Sequence, residues 1–396
     1  MSQPIPSSIA AANDSPDIKV AADANTEFGF RLFQHLVGDQ PMGNVFFSPF
    51  SVSSALAMTL NGAGGQTERD MAQTLGLENI TRDEAGRIYG ALLSSLAADL
   101  GVKLRMANAL WGRHGLKFAP DFQERCRRFY AAPAESLDFS SPDAVTTIND
   151  WTSRNTDGKI TQLVTRADIA GAVVVLTNAI YFEGLWQTEF RETDTQPAPF
   201  AAPGGSKLVP MMHQTGRFSY AETAFGQLAG LPYGDGRLSL VVLIPKIGET
   251  IETLVQSLDA KAWAAQMREM KPTRLTLFLP RFKAEYEGRL REPLSALGMA
   301  SAFEREADFG PMGTGALMIG DVIHKAVLDI EETGTVAAAA TAVVMMRSAA
   351  LPRPASVLRV DRPFFLAIRD SVTGTILFAG IIRNPQQCRQ RYNGFK

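Results

Sequence analysis

Gly334-Thr335-Val336-Ala337-Ala338-Ala339-Ala340-Thr341-Ala342-Val343-Val344-Met345-Met346 carries no charge and no proline, and Arg347-Ser348 follows it directly. Small and β-branched side chains suit a crowded position inside a sheet, whereas a solvated loop normally carries Gly, Pro, Asn, Asp and charge. In a strand, alternate side chains share a face. That rule puts Thr335, Ala337, Ala339, Thr341, Val343 and Met345 on one side, small first and larger later. A segment of this kind is an aggregation hazard when exposed, so its presence implies that the protein uses it. An Ala-rich helix is the competing reading, because Ala is the best helix former. Thr341, Val343 and Val344 oppose it, since β-branched side chains are stiff in helices.

The flanks extend the pattern. His324-Lys325-Ala326-Val327-Leu328-Asp329-Ile330-Glu331-Glu332 precedes the tract and Leu351-Pro352-Arg353-Pro354 follows it, giving a strand, a hinge and a bait. Four further stretches occur in order: Asn44-Val45-Phe46-Phe47-Ser48-Pro49-Phe50-Ser51, the run from Leu176 to Trp186, Asp361-Arg362-Pro363-Phe364-Phe365-Leu366, and the run from Leu377 to Pro385. Together they resemble the serpin family, in which a reactive loop presents a scissile bond to a protease and then inserts as a new strand. The match covers about residue 25 to 385.

The resemblance implies an α+β serpin fold, with three β-sheets, a layer of about eight or nine helices and an exposed reactive loop at about 332–354. It also implies a single domain over 23–386, between a flexible N-terminal arm at 1–22 and a C-terminal tail at 387–396. Ser48, Ser51, Asn178 and His324 resemble the family's shutter, a polar cluster beneath the strands that must part. Trp186, Arg281 and Glu332 fall where the family has its breach, the point where the loop first inserts. Glu332, Gly334, Thr335, Ala337, Ala338, Ala339, Ala340 and Thr341 form the hinge. Family members that only carry ligands usually have bulkier or charged hinges, so this one resembles the inhibitory members. Val336 departs from a frequent glutamate, on a side chain expected to face away from the sheet core.

The residues themselves support parts of this reading. Ser48-Pro49 starts a helix on physical grounds: the hydroxyl can accept an orphan amide proton, and proline suits the first helical position. Phe28, Leu32 and Leu36 have helical spacing and predict a first helix from near Thr26. The runs Val173 to Phe182, Leu238 to Ile244 and Leu275 to Leu279 read as strands, and helical patterns recur near Leu254 to Met267 and Arg289 to Leu297. Helices dominate the first 160 residues and strands the rest, an α+β pattern and not regular α/β alternation.

Composition narrows the function. The 396 residues are 45% hydrophobic and 20% charged, a globular balance with a sizeable core. The net charge of -2 gives no global attraction to nucleic acid or anionic lipid. Arg125, Arg127 and Arg128 form a small basic cluster that reads as a solvated helix face before a polyanion site. The run from Met1 to Val20 lacks the apolar block of a secretory signal, and no apolar stretch is long enough to span a bilayer. Cys126 and Cys388 make neither a metal spacing nor a redox pair, and they read as free thiols. The four histidines fit no zinc motif, and there is no nucleophile elbow, P-loop or dinucleotide fingerprint. We therefore expect no catalytic residues, no metal and no cofactor.

The resemblance implies a target protease as the partner of a monomer, with no nucleic acid and no membrane. The expected activity is suicide inhibition of serine endopeptidases, with cysteine endopeptidases as a secondary class; a non-inhibitory carrier or chaperone is the alternative. Counting from Glu332 by the family's usual spacing puts the scissile bond at Ser348-Ala349, whereas side-chain chemistry points to Arg347-Ser348. Arginine before the cut suits a trypsin-like pocket, and serine suits an elastase- or subtilisin-like one. Both remain open. The family implies an extracellular protein, with the cytoplasm as the alternative because no signal peptide is visible.

Overall fold

The computed structural model describes residues 16–96, 101–335, 355–387 and 389–392. The hinge residues Ala337, Ala338, Ala339, Ala340 and Thr341, the bond candidates Arg347, Ser348 and Ala349, and Cys388 lie outside the described residues.

In chain order the strands are β1 (Val45–Phe47), β2 (Val102–Arg113), β3 (Ala134–Leu137), β4 (Val174–Leu185), β5 (Gln196–Ala202), β6 (Gly205–Glu222), β7 (Gly226–Pro232) and β8 (Leu238–Pro245). They continue as β9 (Lys271–Pro280), β10 (Phe282–Arg289), β11 (Ile319–Ile330), β12 (Gly334–Thr335), β13 (Ser356–Arg359), β14 (Phe364–Asp370), β15 (Ile376–Ile382) and β16 (Arg389–Tyr392). A seven-stranded central sheet runs β16-β10-β11-β4-β2-β3, with β12 paired to β4. The other strands form one hydrogen-bonded network, in which the 18-residue β6 serves both β7-β8-β14-β15-β1 and the group of β5, β9 and β13. Counted as two sheets, these groups and the central sheet make the expected three. Ten α-helical segments occur among the described residues, two of them only four residues long, which leaves the eight longer ones of the expected helical layer.

Period-two alternation explains why the central sheet can be buried on both faces. On β4, Val174, Leu176, Ile180 and Phe182 join the main core, while Val175, Ala179 and Tyr181 join a second cluster with Ala144 and Ile148 of the helix Asp143–Asn155. On β11, Val322, Ala326 and Leu328 face the main core, and Ile323 and Val327 the second. The same parity sends Asn178 and His324 to the main-core side. Both are fully buried there.

Two expectations need correction. The first helix is already formed at Pro16 and runs to Gly38, so residues 16–22 belong to it and not to a flexible arm, and Thr26 is not its start. Ile18, Ala21 and Ala22 are buried, and the Thr26 hydroxyl donates to the Ala22 carbonyl inside the helix, so the apolar face extends past the polar stretch that suggested an arm. The region from Leu254 to Met267 is two helices, Ile251–Ser257 and Ala260–Glu269, because Asp259 caps a new one by accepting from the Ala262 amide at 2.6 Å.

Candidate functional site

The site lies where β4 and β11 diverge. These strands pair in parallel from Val174 and Ile319 as far as Tyr181 and Val327. Beyond that point the chain turns at Glu331–Thr333 and returns as β12, antiparallel to β4, with Gly334 opposite Leu185 and Thr335 opposite Gly184. The turn is closed by hydrogen bonds exchanged between Glu331 and Gly334, at 2.8 and 3.2 Å. Gly334 has φ +148°, and a Cβ there would lie 2.2 Å from the Gly184 carbonyl oxygen, so no other residue fits without moving the strand.

Thr335 is fully buried and its hydroxyl lies 2.9 Å from the Tyr233 hydroxyl. Tyr233 stacks on Trp186 with ring centroids 4.3 Å apart and meets Phe182 edge-on at 4.9 Å. Trp186 donates from Nε1 to the Glu331 carbonyl at 2.9 Å and from its backbone amide to the Thr333 carbonyl at 3.0 Å. The Glu332 carboxylate is buried, accepting from the Thr195 hydroxyl at 2.7 Å and lying 3.4 Å from Arg281 Nη1, while Arg281 itself is about half exposed (48%). Trp186, Arg281 and Glu332 are thus brought together as expected. The arginine contact is the loosest of the three, and at 3.4 Å with the guanidinium half in water it contributes little. Burial, then repulsion from Asp329 and Glu332, raises the Glu331 carboxyl above its ordinary range.

The second cluster lies lower on the same sheet. Register places Gly288, His324, Asn178 and Asn108 in one row across four strands, β10, β11, β4 and β2. The helix Pro49–Leu60, buried along its whole length, backs this row. Ser48 caps it as the sequence predicts, its hydroxyl accepting from the Ser51 amide at 3.0 Å and donating to the Leu377 carbonyl at 2.5 Å. The two N–H groups of Asn178 Nδ2 are shared among Ser51 O at 2.9 Å, Ser51 Oγ at 2.5 Å and Asn108 Oδ1 at 2.5 Å. His324 Nε2 accepts from the Ser48 amide at 3.1 Å. Its Nδ1 must therefore carry the proton, which it donates to Asn178 Oδ1. The four expected shutter residues form one network, and its His324–Asn178 bond crosses the seam between β11 and β4.

Burial pushes the His324 pKa down to about 3, against the opposing effect of the bond to Asn178. The ring is neutral in the native fold and its ordinary pKa is near 6.5 when the fold opens. A depressed native pKa means that this contribution to stability is complete above pH 6.5 and is lost as pH falls toward 3. By pH 5 the loss is about 2 kcal/mol. Urea unfolding at pH 7.5 and pH 5 should show that drop, and His324→Gln should flatten it. A wild-type slope that the variant keeps would exclude His324 as its source.

Sequence reasoning missed Asn108, Tyr233 and Thr195. Asn108 sits in an Ala-Asn-Ala run and Tyr233 in a glycine-rich turn, so neither carries a local signal and both are recruited by long-range pairing. Two charges of the arginine cluster are paired locally, Arg125 with Asp83 and Arg127 with Glu124, both at 3.2 Å, while Arg128 lies over the Phe129 ring. Cys126 is free and buried, and burial pushes its thiol up to about 12, which makes it unreactive. No three metal-ligating side chains come together among the described residues, and no helix there is long and apolar enough to cross a membrane.

The family model described as serpin, serine protease inhibitor, matches residues 23–385. The leukocyte elastase inhibitor of Bos taurus is 36% identical over 91% of this chain and 98% of its own. Among solved structures, the native state of the thermophilic serpin tengpin superposes with a TM-score of 0.85 at 28% identity, over 91% of this chain and 94% of its own. Human thyroxine-binding globulin complexed with thyroxine also gives 0.85, at 27% identity over 93% of this chain and 100% of its own. Nothing in these names supports the extracellular placement.

Proposed function

The chain belongs to the serpin family, the serine protease inhibitors, and we propose that it works as a suicide inhibitor that traps its target protease as a covalent acyl complex. One observation carries this reading: β12 already pairs with β4 beside the open end of the β4–β11 seam, with Thr335 buried on the inner face. Continuing that register one for one, Ala337 comes opposite Phe182, Ala339 opposite Ile180, Thr341 opposite Asn178, Val343 opposite Leu176 and Met345 opposite Val174, the first residue of β4. Strand β4 is therefore as long as the tract that would fill the seam. Every inner-facing residue of the leading half is small, as insertion past a packed core requires.

The protease serine attacks the scissile carbonyl, the new amino terminus leaves, and the acyl ester joins the protease to Arg347 or Ser348. The freed loop then parts β4 from β11 and inserts. About fourteen residues at roughly 3.3 Å each carry the tethered protease about 45 Å before water can cleave the ester. The shutter row supports this sequence, because the seam it closes is the one the loop must open. The native state is then kinetically held. A carrier function is the second reading, suggested by the likeness to thyroxine-binding globulin; the small, uncharged hinge favours inhibition. For the compartment we retain the cytoplasmic alternative.

Incubation with trypsin-, elastase- and subtilisin-like proteases, followed by denaturing electrophoresis, tests the proposal. At least one protease should give an adduct stable to denaturant, and cleavage without adduct across the panel would leave the carrier reading. Arg347→Ala then separates the two bonds. Trapping of a trypsin-like protease should fall at least about 100-fold, since its buried carboxylate loses a charged partner. An elastase-like protease cutting after Ser348 should change by only about 1 kcal/mol, roughly fivefold. Mass spectrometry of the released peptide reads the cut: a start at Ser348 supports arginine, a start at Ala349 supports serine, and a start outside residues 346–350 sinks both.

A further inference from the structure

Four neighbouring strands of the network built on β6 come to an end at one place. In sheet order these are β1, β15, β14 and β8: residues 41–44 lead into β1, β15 ends at Ile382 just before Arg383, β14 starts just after Pro363, and β8 ends at Pro245. Together with the start of the helix Ile251–Ser257 they border a cavity of about 460 Å³, the size that holds a small organic molecule. Its walls are mostly apolar: Pro41, Met42, Pro203, Pro245, Ile251 and Pro363.

Two arginines line the same cavity, and each keeps one donor unused. The Arg383 side chain is 1% exposed; its Nε donates to Glu252 at 3.0 Å and its Nη1 to the Gln40 and Gly43 carbonyls at 3.0 and 2.5 Å, while the buried Nη2 has no partner. Arg362 donates from Nη1 to Asp361 at 3.1 Å and from Nη2 to the Pro245 carbonyl at 2.8 Å, while its buried Nε has none. Among the described residues, buried arginine nitrogens without a partner occur at Arg362, Arg369 and Arg383, and two of these three residues line this cavity. A charged donor left unpaired away from water is costly, so an acceptor brought here makes a bond that the fold alone does not. Charge decides which acceptor fits. Asp361 and Glu252 already neutralise the two guanidinium groups, and Glu249 adds a third carboxylate to the lining. The cavity therefore lacks acceptor oxygen and not negative charge.

We infer that this cavity is a binding site for a small uncharged molecule that carries a carbonyl oxygen on an apolar frame. The frame lies against the prolines and Ile251, and the two lone pairs of the oxygen accept from Arg362 Nε and Arg383 Nη2. Met42, 65% exposed and unbranched, yields as the ligand enters. The site contains none of the shutter or breach residues, so it does not depend on whether the loop traps a protease.

Titration of the whole chain with acetophenone, benzoate and toluene, followed by NMR of the ligand and of the arginine Nε–H signals, tests the inference. The ketone should bind saturably with a Kd on the order of 1 mM and shift the Arg362 signal. Benzoate has nearly the same shape but brings a charge, and toluene brings no oxygen; each should bind at least about tenfold more weakly. Arg362→Met should weaken acetophenone at least about fivefold and leave toluene unchanged. Arg383→Met should do the same; should it fail to fold, Arg362→Met carries the test alone, because it leaves the hold of Arg383 on residues 40–43 in place. Absence of saturable acetophenone binding would overturn the inference. So would benzoate binding as tightly as the ketone, which would mean an anion site, toluene binding as tightly, which would mean an apolar hollow, or ketone affinity that Arg362→Met leaves unchanged.

Discussion

Cutting the loop between about Val343 and Ala350 is expected to raise the midpoint of thermal unfolding by about 15 °C or more. The reason is the register at β12. In the intact chain β4 makes eight residue pairs with β11 and two with β12. Once the loop is free to insert, residues 334–345 can pair along all twelve residues of β4 on one side and along β11 on the other. New ladder bonds on two flanks outnumber those lost along one. A net gain of about ten bonds at about 1 kcal/mol each, with burial of the small apolar face, corresponds to a shift of this size in a chain of this length. Calorimetry before and after clean cleavage measures it directly. An unchanged or lowered midpoint would mean that the loop does not insert, and the carrier reading would then be preferred. Most proteins lose stability when nicked, so the sign alone is diagnostic.

The intact chain stays in the less stable arrangement because the seam is latched, and the latch shows how far a sequence can be read. Ser48-Pro49 was legible as a helix start because capping is local chemistry, and the structure has Ser48 as the cap. The alternation along β4 and β11 was legible too, and it alone puts Asn178 and His324 on the core side. What local pattern does not contain is who sits opposite whom. Asn108 joins the row only because β2 pairs antiparallel with β4 in one register, and Tyr233 reaches Thr335 only because its turn folds over the end of that strand. The start of the first helix was misread for a related reason: prolines and small polar residues before Lys19 look unstructured, but Ile18 and Ala21 are held by tertiary packing. The only local sequence around Arg281 that could place it is the short run Leu279-Pro280-Arg281, and the arginine does reach Glu332, though loosely.

Replacing Thr335 with Arg should convert the protein from inhibitor to substrate, reducing covalent adduct at least about 100-fold while cleavage of the loop continues. Thr335 has no exposed surface, and its hydroxyl meets that of Tyr233, whose pKa is raised by burial and whose ring lies between Trp186 and Phe182. A guanidinium in that position would stand in an aromatic wall with no carboxylate supplied as its partner. Removing such a charge from water without pairing costs several kcal/mol. Because β12 holds Thr335 in this place in the intact chain, the arginine would displace β12 from β4 to keep its charge in water, and insertion would then have to bury the charge before any later pair can compensate. Each kcal/mol added to the insertion barrier slows it about fivefold relative to deacylation, so a penalty of 3 kcal/mol or so is enough to let hydrolysis win. Thr335→Ser, which keeps the hydroxyl and loses one methyl, is the control and should trap nearly as well as the parent. The comparison is made by titrating protease with each variant and measuring adduct against cleaved product. An arginine variant that still gives full adduct at unchanged stoichiometry would show that residue 335 need not be buried against the aromatic wall, and insertion along β4 would have to be abandoned as the basis of inhibition.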